Sequence, residues 1–177
     1  PFYFPGPLHK LCGGDRMKGQ IQWKALVPAL LLPLGLGALS AWIVGDGFSV
    51  YKELYKPLFA PPSWLFPVVW TVLYLLMGYA SYRIWITEAS VPRKRRALLS
   101  YLVQLLINVS WPIWFFRFSR YGFSAFWAGL LLAAAGLCAL LFAHLEEKAG
   151  KLLLPYLLWL CYALYLSVGV WLLNGMV

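Results

Sequence analysis

The sequence predicts an all-α integral membrane protein, a bundle of five transmembrane helices. Three observations predict it. Hydrophobic residues fill 62% of the 177 positions and charged residues only 12%, where a soluble domain is nearer half apolar and about a quarter charged. The mean hydropathy is +0.72. The charges fall between apolar runs, and the five runs at about 25–44, 64–86, 97–116, 121–143 and 152–174 are each long enough to cross about 30 Å of hydrocarbon at about 1.5 Å per residue.

Residues 1–16 are rich in Pro and Gly and hold no apolar stretch of signal-peptide length. They are expected to be a disordered leader or expression remnant, with the five-helix domain over 17–177. In the first span Pro28 suits a first turn, Pro33 is expected to kink the helix, and Gly37 with Ala41 forms a small-xxx-small pair for close helix approach. The loop 45–63 keeps Tyr51, Tyr55 and Phe59 near the membrane and is stiffened by Pro57, Pro61 and Pro62. It reads either as a lid or as an interfacial aromatic belt. The later connections are short, which favours a compact bundle of neighbouring antiparallel spans. In the fourth span Ala125, Gly129 and Ala133 offer a surface for helix contact within or between protomers.

The net charge is +9. With five spans, eleven basic residues (Lys10, Arg16, Lys18, Lys24, Arg83, Arg93, Lys94, Arg95, Arg96, Lys148, Lys151) share one side and four (Lys52, Lys56, Arg117, Arg120) the other. That bias places the amino terminus in the cytoplasm and the carboxyl terminus opposite. Arg83, within a turn of its span's end, is expected to snorkel. Arg93–Arg96 reads as a topology anchor at anionic lipid; no aromatic or motif context there suits nucleic acid. The three cysteines have no metal or disulfide spacing, and Cys138 and Cys161 are expected to pack as small hydrophobes. Neither His9 nor His144 lies where a bis-histidine haem needs it, and all six carboxylates sit outside the spans or at their ends. No metal, no cofactor of the protein's own and no ion-coupled transport are expected.

Three spans carry a marked face. Gln104, Asn108, Trp111 and Phe115 recur at i, i+4, i+7 and i+11, within about 60° of helical arc. An amide left unpartnered in lipid costs several kcal/mol, so the stripe must point into a protein interior or a pocket. Trp70, Tyr74, Met77 and Ser81 repeat that spacing, and the fifth span aligns Tyr156, Trp159, Ala163 and Leu166, with Ala163 leaving room beside Trp159. Periodicity leaves two readings open: aromatic walls around a small-ligand cavity, or tryptophans that fill and flank a bundle.

At the loop and second span the chain stops being generic. Tyr51-Lys52-Glu53-Leu54-Tyr55-Lys56-Pro57, Pro61-Pro62-Ser63-Trp64, Trp70-Thr71-Val72-Leu73-Tyr74 and Met77-Gly78-Tyr79-Ala80 resemble the TspO (tryptophan-rich sensory protein, translocator protein) family. Gln104-Leu105, Asn108, Trp111-Pro112 and Phe115-Phe116 resemble that family's third helix, and Pro155-Tyr156, Trp159, Ala163 and Asn174 its fifth. The resemblance implies a five-helix bundle, often a homodimer, that binds porphyrins and other flat apolar molecules under the first loop; the basic-inside bias and the lack of a mitochondrial-type leader favour a bacterial envelope membrane as its host. The resemblance also implies ligand contacts from Tyr51, Pro61, Pro62, Trp70, Tyr74, Gln104, Asn108, Trp111, Phe115, Trp159 and Ala163. Some bacterial members are reported to break down protoporphyrin in light and oxygen, and their two implicated tryptophans correspond to Trp70 and Trp159. Three positions depart from the family: Ser167 stands where Asn is common, Phe123 where Trp is common, and no basic residue follows Tyr165 to complete the pattern proposed for cholesterol.

The expected function is therefore a membrane receptor or sensor for tetrapyrroles. The rivals are a photo-oxidative enzyme acting on bound protoporphyrin and an uncoupled porphyrin or sterol transporter; no span carries a buried charge to drive transport.

Overall fold

The computed structural model describes residues 21–175, so the expectation for residues 1–16 lies outside the described residues. The helices are α1 (Trp23–Val44), α2 (Val50–Glu53), α3 (Leu65–Ile86), α4 (Val91–Pro112), α5 (Tyr121–Leu145), α6 (Glu147–Leu152) and α7 (Leu154–Asn174). A 3₁₀ turn, Gly45–Ser49, joins α1 to α2, and a π turn, Ile113–Arg117, closes α4. Five helical runs are long and apolar enough to cross a membrane. Their outward faces carry Leu31, Val72, Val103, Leu106, Leu137, Leu140 and Leu158, all exposed, which is a lipid-facing surface and not one for water.

Two boundaries differ from the apolar-run expectation for physical reasons. The helix expected from 97 begins at Val91: Ser90 is extended, Pro92 sits in the first turn, and the basic run forms the opening turns beyond the apolar zone. The last span is preceded by the short α6, whose first turn is capped by the Glu146 carboxylate accepting from the Ala149 amide at 2.6 Å. The loop expected at 45–63 is helical over its first half, through Glu53; only Leu54–Trp64 is extended or turned.

α1 packs along α3, and α5 along both α4 and α7, whereas α3 and α7 meet only sparsely. Glycine permits the α1–α3 approach. A Cβ on Gly78 would lie 2.6 Å from the Ala29 carbonyl oxygen, and one on Gly37 would collide with the Tyr74 ring. The expected partner Ala41 is exposed; one residue earlier, buried Ser40 donates to the Val109 carbonyl of α4 at 2.6 Å. In α5 only Ala125 of the small-residue series is buried, and Gly129 has open space beside it. Cys138 is buried as expected, but Cys161 faces outward.

Arg83 does not reach for headgroups. Its guanidinium grips Glu146 with Nε to Oε2 at 2.8 Å and Nη2 to Oε1 at 2.9 Å, tying the end of α3 to the α5–α6 corner. The Arg83 hydrogen bonds hold the Glu146 carboxyl below the usual carboxylate range. A carboxyl depressed on folding adds stability above its unfolded value of about 4.3, and that stability is lost as pH falls through the folded value. Thermal denaturation in detergent is expected to show a melting temperature that declines below about pH 4.3. Glu146→Gln lowers it at neutral pH and flattens that decline; an unchanged acid profile in this variant would show the pair to be inert.

Candidate functional site

The amides of α4 are buried, and they meet phenols. Tyr74 of α3 donates to Asn108 Oδ1 at 2.9 Å, Asn108 Nδ2 donates to the Tyr156 hydroxyl of α7 at 2.9 Å, and that hydroxyl donates to Gln104 Oε1 at 2.8 Å. Asn108 and Gln104 are about 2% and 1% exposed. Low dielectric makes such a chain strong when complete and costly when cut.

One turn away lies a cavity. Trp70 is four residues before Tyr74, Trp111 three after Asn108 and Trp159 three after Tyr156, so each helix that enters the polar chain also sends one indole to the same space. The lining comprises Tyr51, Phe66, Trp70, Trp111, Phe115, Phe116, Trp159, Ala163, Leu166, Ser167 and Val170. Trp111 stacks on Phe115 with centroids 5.0 Å apart, Phe66 meets Trp159 edge-on at 6.1 Å and Tyr51 at 5.3 Å, and Trp70 leans on Tyr74 at 5.4 Å. The π turn explains why neighbours Phe115 and Phe116 are both buried and both line the space. Its wider winding, with the Phe118 amide bonded back to Ile113 at 3.1 Å, brings adjacent side chains inward where an α turn would separate them by about 100°.

The space is small: the cavity measures about 20 Å³, enough for about one water. Its walls are almost wholly apolar. The Trp159 indole N–H is buried without an acceptor, whereas Trp111 donates to the Ser124 carbonyl at 3.1 Å and Ser167 to the Ala163 carbonyl at 2.7 Å.

The Leu54–Trp64 segment is fastened to two of the elements that line the cavity, α2 and α7. Tyr51 donates to the Pro61 carbonyl at 3.0 Å, while Tyr162 and Tyr165 of α7 donate to the Phe59 and Leu58 carbonyls.

Of the residues singled out from the sequence, Tyr51, Trp70, Trp111, Phe115, Trp159 and Ala163 line the cavity together. Tyr74, Gln104 and Asn108 do not; they form the polar chain beneath it, because the two amides find phenol partners inside the bundle. Pro61 is buried and contributes its carbonyl to the segment's fastening, and Pro62 is exposed. Leu166, already aligned with Trp159 and Ala163 in the sequence, lines the cavity too, as do Phe66, Phe116, Ser167 and Val170. Phe66 lies one turn before Trp70, and Leu166, Ser167 and Val170 continue the face of Trp159 and Ala163, so helical spacing marks these four; only Phe116 needed the π turn to be seen.

Asn108→Leu is expected to cost about 1–3 kcal/mol, because it orphans the Tyr74 hydroxyl. Tyr74→Phe costs less, about 1 kcal/mol, since it leaves Asn108 Oδ1 without a donor but removes one hydrogen bond of the chain where Asn108→Leu removes two. Unfolding titrations in SDS check the order; equal losses would mean the chain does not act as one unit.

The sequence model of the TspO/MBR family matches residues 29–172. The translocator protein of Ovis aries is 36% identical over 158 residues, covering 84% of this chain and 89% of its own. The tryptophan-rich protein TspO of Archaeoglobus fulgidus is 33% identical over 155 residues, 85% of this chain and 97% of its own. Protein CrtK of Rhodobacter capsulatus is 32% identical over 124 residues, 70% and 78% respectively. With five membrane-length helices and a match along most of its length, this chain belongs to the TspO/MBR family.

Proposed function

We propose that the protein is a membrane receptor for flat, largely apolar aromatic molecules of the tetrapyrrole class, protoporphyrin among them. The observation that carries this reading is the convergence of seven aromatic side chains from α2, α3, the α4 end with its π turn, and α7 on one cavity beside the buried, unpartnered Trp159 indole N–H. Such walls grip a conjugated plane by stacking and dispersion, and the Trp159 N–H offers one hydrogen bond to an acceptor on the guest. Drug-sized guests occupy pockets of about 300–1,000 Å³, so the closed cavity of about 20 Å³ must open for one. Tyr51 and the segment bonded to it are the parts that lift, since below the cavity the polar chain ties α3, α4 and α7 to one another. The guest therefore enters by displacing aromatic contacts that it then replaces.

A visible-absorbance titration of the detergent-solubilised protein with protoporphyrin in darkness is expected to saturate at one molecule per chain. Trp111→Ala weakens binding about tenfold, a loss of about 1.4 kcal/mol of stacking and contact area. Affinity unchanged in that variant would remove the pocket from the reading.

A second reading is supported by Trp70 of α3 and Trp159 of α7 both lining the cavity. An indole in contact with a photoexcited porphyrin donates an electron to it, and dioxygen serves as terminal oxidant for opening the macrocycle. Under illumination the bound pigment is then expected to lose its absorbance faster than free pigment. The Trp70→Phe/Trp159→Phe double variant slows that loss at least about tenfold while the dark titration still reports binding, one lost decade being about 1.4 kcal/mol of barrier. Bleaching at the wild-type rate in the variant would leave a receptor without turnover.

A further inference from the structure

We propose that Tyr162, Tyr165 and Asn174 of α7 are positioning residues that latch the Tyr55–Phe59 strap shut over the cavity, and that the strap is held under backbone strain, so the latch sets how fast a guest exchanges. This rests on the receptor reading for its guest, but not for the latch itself.

The strap runs along α7 and is fastened to it at successive points by α7 side chains. Asn174 brackets Tyr55, its Oδ1 accepting from the Tyr55 amide at 3.0 Å and its Nδ2 donating to the Tyr55 carbonyl at 2.8 Å. Pro57 seats in a notch left by Gly169, where an added Cβ would lie 2.7 Å from the Pro57 ring carbons. Tyr165 then donates to the Leu58 carbonyl at 2.9 Å and Tyr162 to the Phe59 carbonyl at 2.6 Å. Each of these hydrogen bonds joins an α7 side chain to strap backbone, so the fastening resides in α7 whatever side chains the strap displays. The strap supplies little of its own: the Ala60 amide reaches the Pro57 carbonyl at 3.3 Å, and Pro57, Pro61 and Pro62 have no amide to give.

Strain enters at Phe59. Its φ is +63°, in the left-handed region that disfavours side chains with a Cβ, and its ring is 86% exposed. No packing of the ring repays that conformation; the carbonyl hydrogen bonds from the two tyrosines hold it. The latch is also within reach of the guest. Tyr162 lies against Trp159, centroids 5.4 Å apart, and Trp159 is a wall of the cavity. A guest that turns the Trp159 indole disturbs the ring whose hydroxyl closes the strap.

The test uses the full chain in detergent micelles or nanodiscs, with two readouts. Stopped-flow mixing with protoporphyrin IX gives association and dissociation rates, and amide hydrogen exchange over residues 54–60 reports strap opening with no guest present. Tyr162→Phe/Tyr165→Phe removes two hydroxyls and little else. Both rates are expected to rise together, about fivefold for each hydroxyl removed, with Kd held within about twofold because free and occupied closed states lose the same bonds. Strap amides exchange faster by a similar factor. Phe59→Gly, which relaxes the left-handed turn, slows both rates and strap exchange by about threefold. Wild-type rates and wild-type strap exchange in the double Phe variant overturn the latch. So does a weakened Kd with unchanged association rate and unchanged strap exchange, which would make the tyrosines guest contacts. If protoporphyrin does not bind the wild type, the receptor reading fails, and exchange at residues 54–60 still decides the latch.

Discussion

Three helices of this bundle are tied together by one buried hydrogen-bond chain, Tyr74–Asn108–Tyr156–Gln104. In hydrocarbon, apolar packing gives helices little preference for one neighbour over another, and buried polar groups supply the register. Here the register has a specific product. Trp70, Trp111 and Trp159 each lie one turn from the chain's member on their own helix, so tying Tyr74, Asn108 and Tyr156 together also assembles the three indoles. The polar chain and the aromatic cavity are two levels of one construction, the lower holding the upper in place.

The cavity is closed by its own walls. Edge-on contacts among Tyr51, Phe66, Phe115, Phe116 and Trp159 fill the space around it. Binding under those conditions exchanges ring–ring contacts for ring–guest contacts, and apparent affinity falls in proportion to the fraction of molecules that are open. Under the proposed receptor function, such a cavity favours an extended conjugated plane over a small apolar molecule, which cannot replace the contacts it breaks.

Much of this was legible in the chain because hydrocarbon is an unforgiving solvent. Gln104 and Asn108 had to be inside, and they are; five spans followed from run length, with α4 starting earlier than the apolar run because Ser90 and Pro92 open a helix regardless of the charges that follow. Partners were not legible. The phenols that satisfy the amides come from helices 34 and 48–52 residues away, and no periodicity within one segment specifies such a pairing. That is why Tyr74, Gln104 and Asn108 read as cavity walls and stand beneath it. Phe116 was hidden by a change of winding: a strict 3.6-residue period assigns it a different face from Phe115. Arg83 looked like a residue at a membrane boundary because its acid, Glu146, lies 63 positions later.

The π turn at Ile113–Arg117 holds one residue more than regular winding needs. Sequence length is therefore slack at this point alone on the α4 side of the cavity. Shortening the chain here by a single position would restore regular coiling without shifting Gln104 or Asn108. The wall would trade one phenylalanine for open volume while the anchor of Arg117 on the Ile43 carbonyl, at 2.6 Å, is pulled around the helix axis. Chain length at this turn is thus a dial on cavity breadth, adjustable in lineage or laboratory without touching the polar floor.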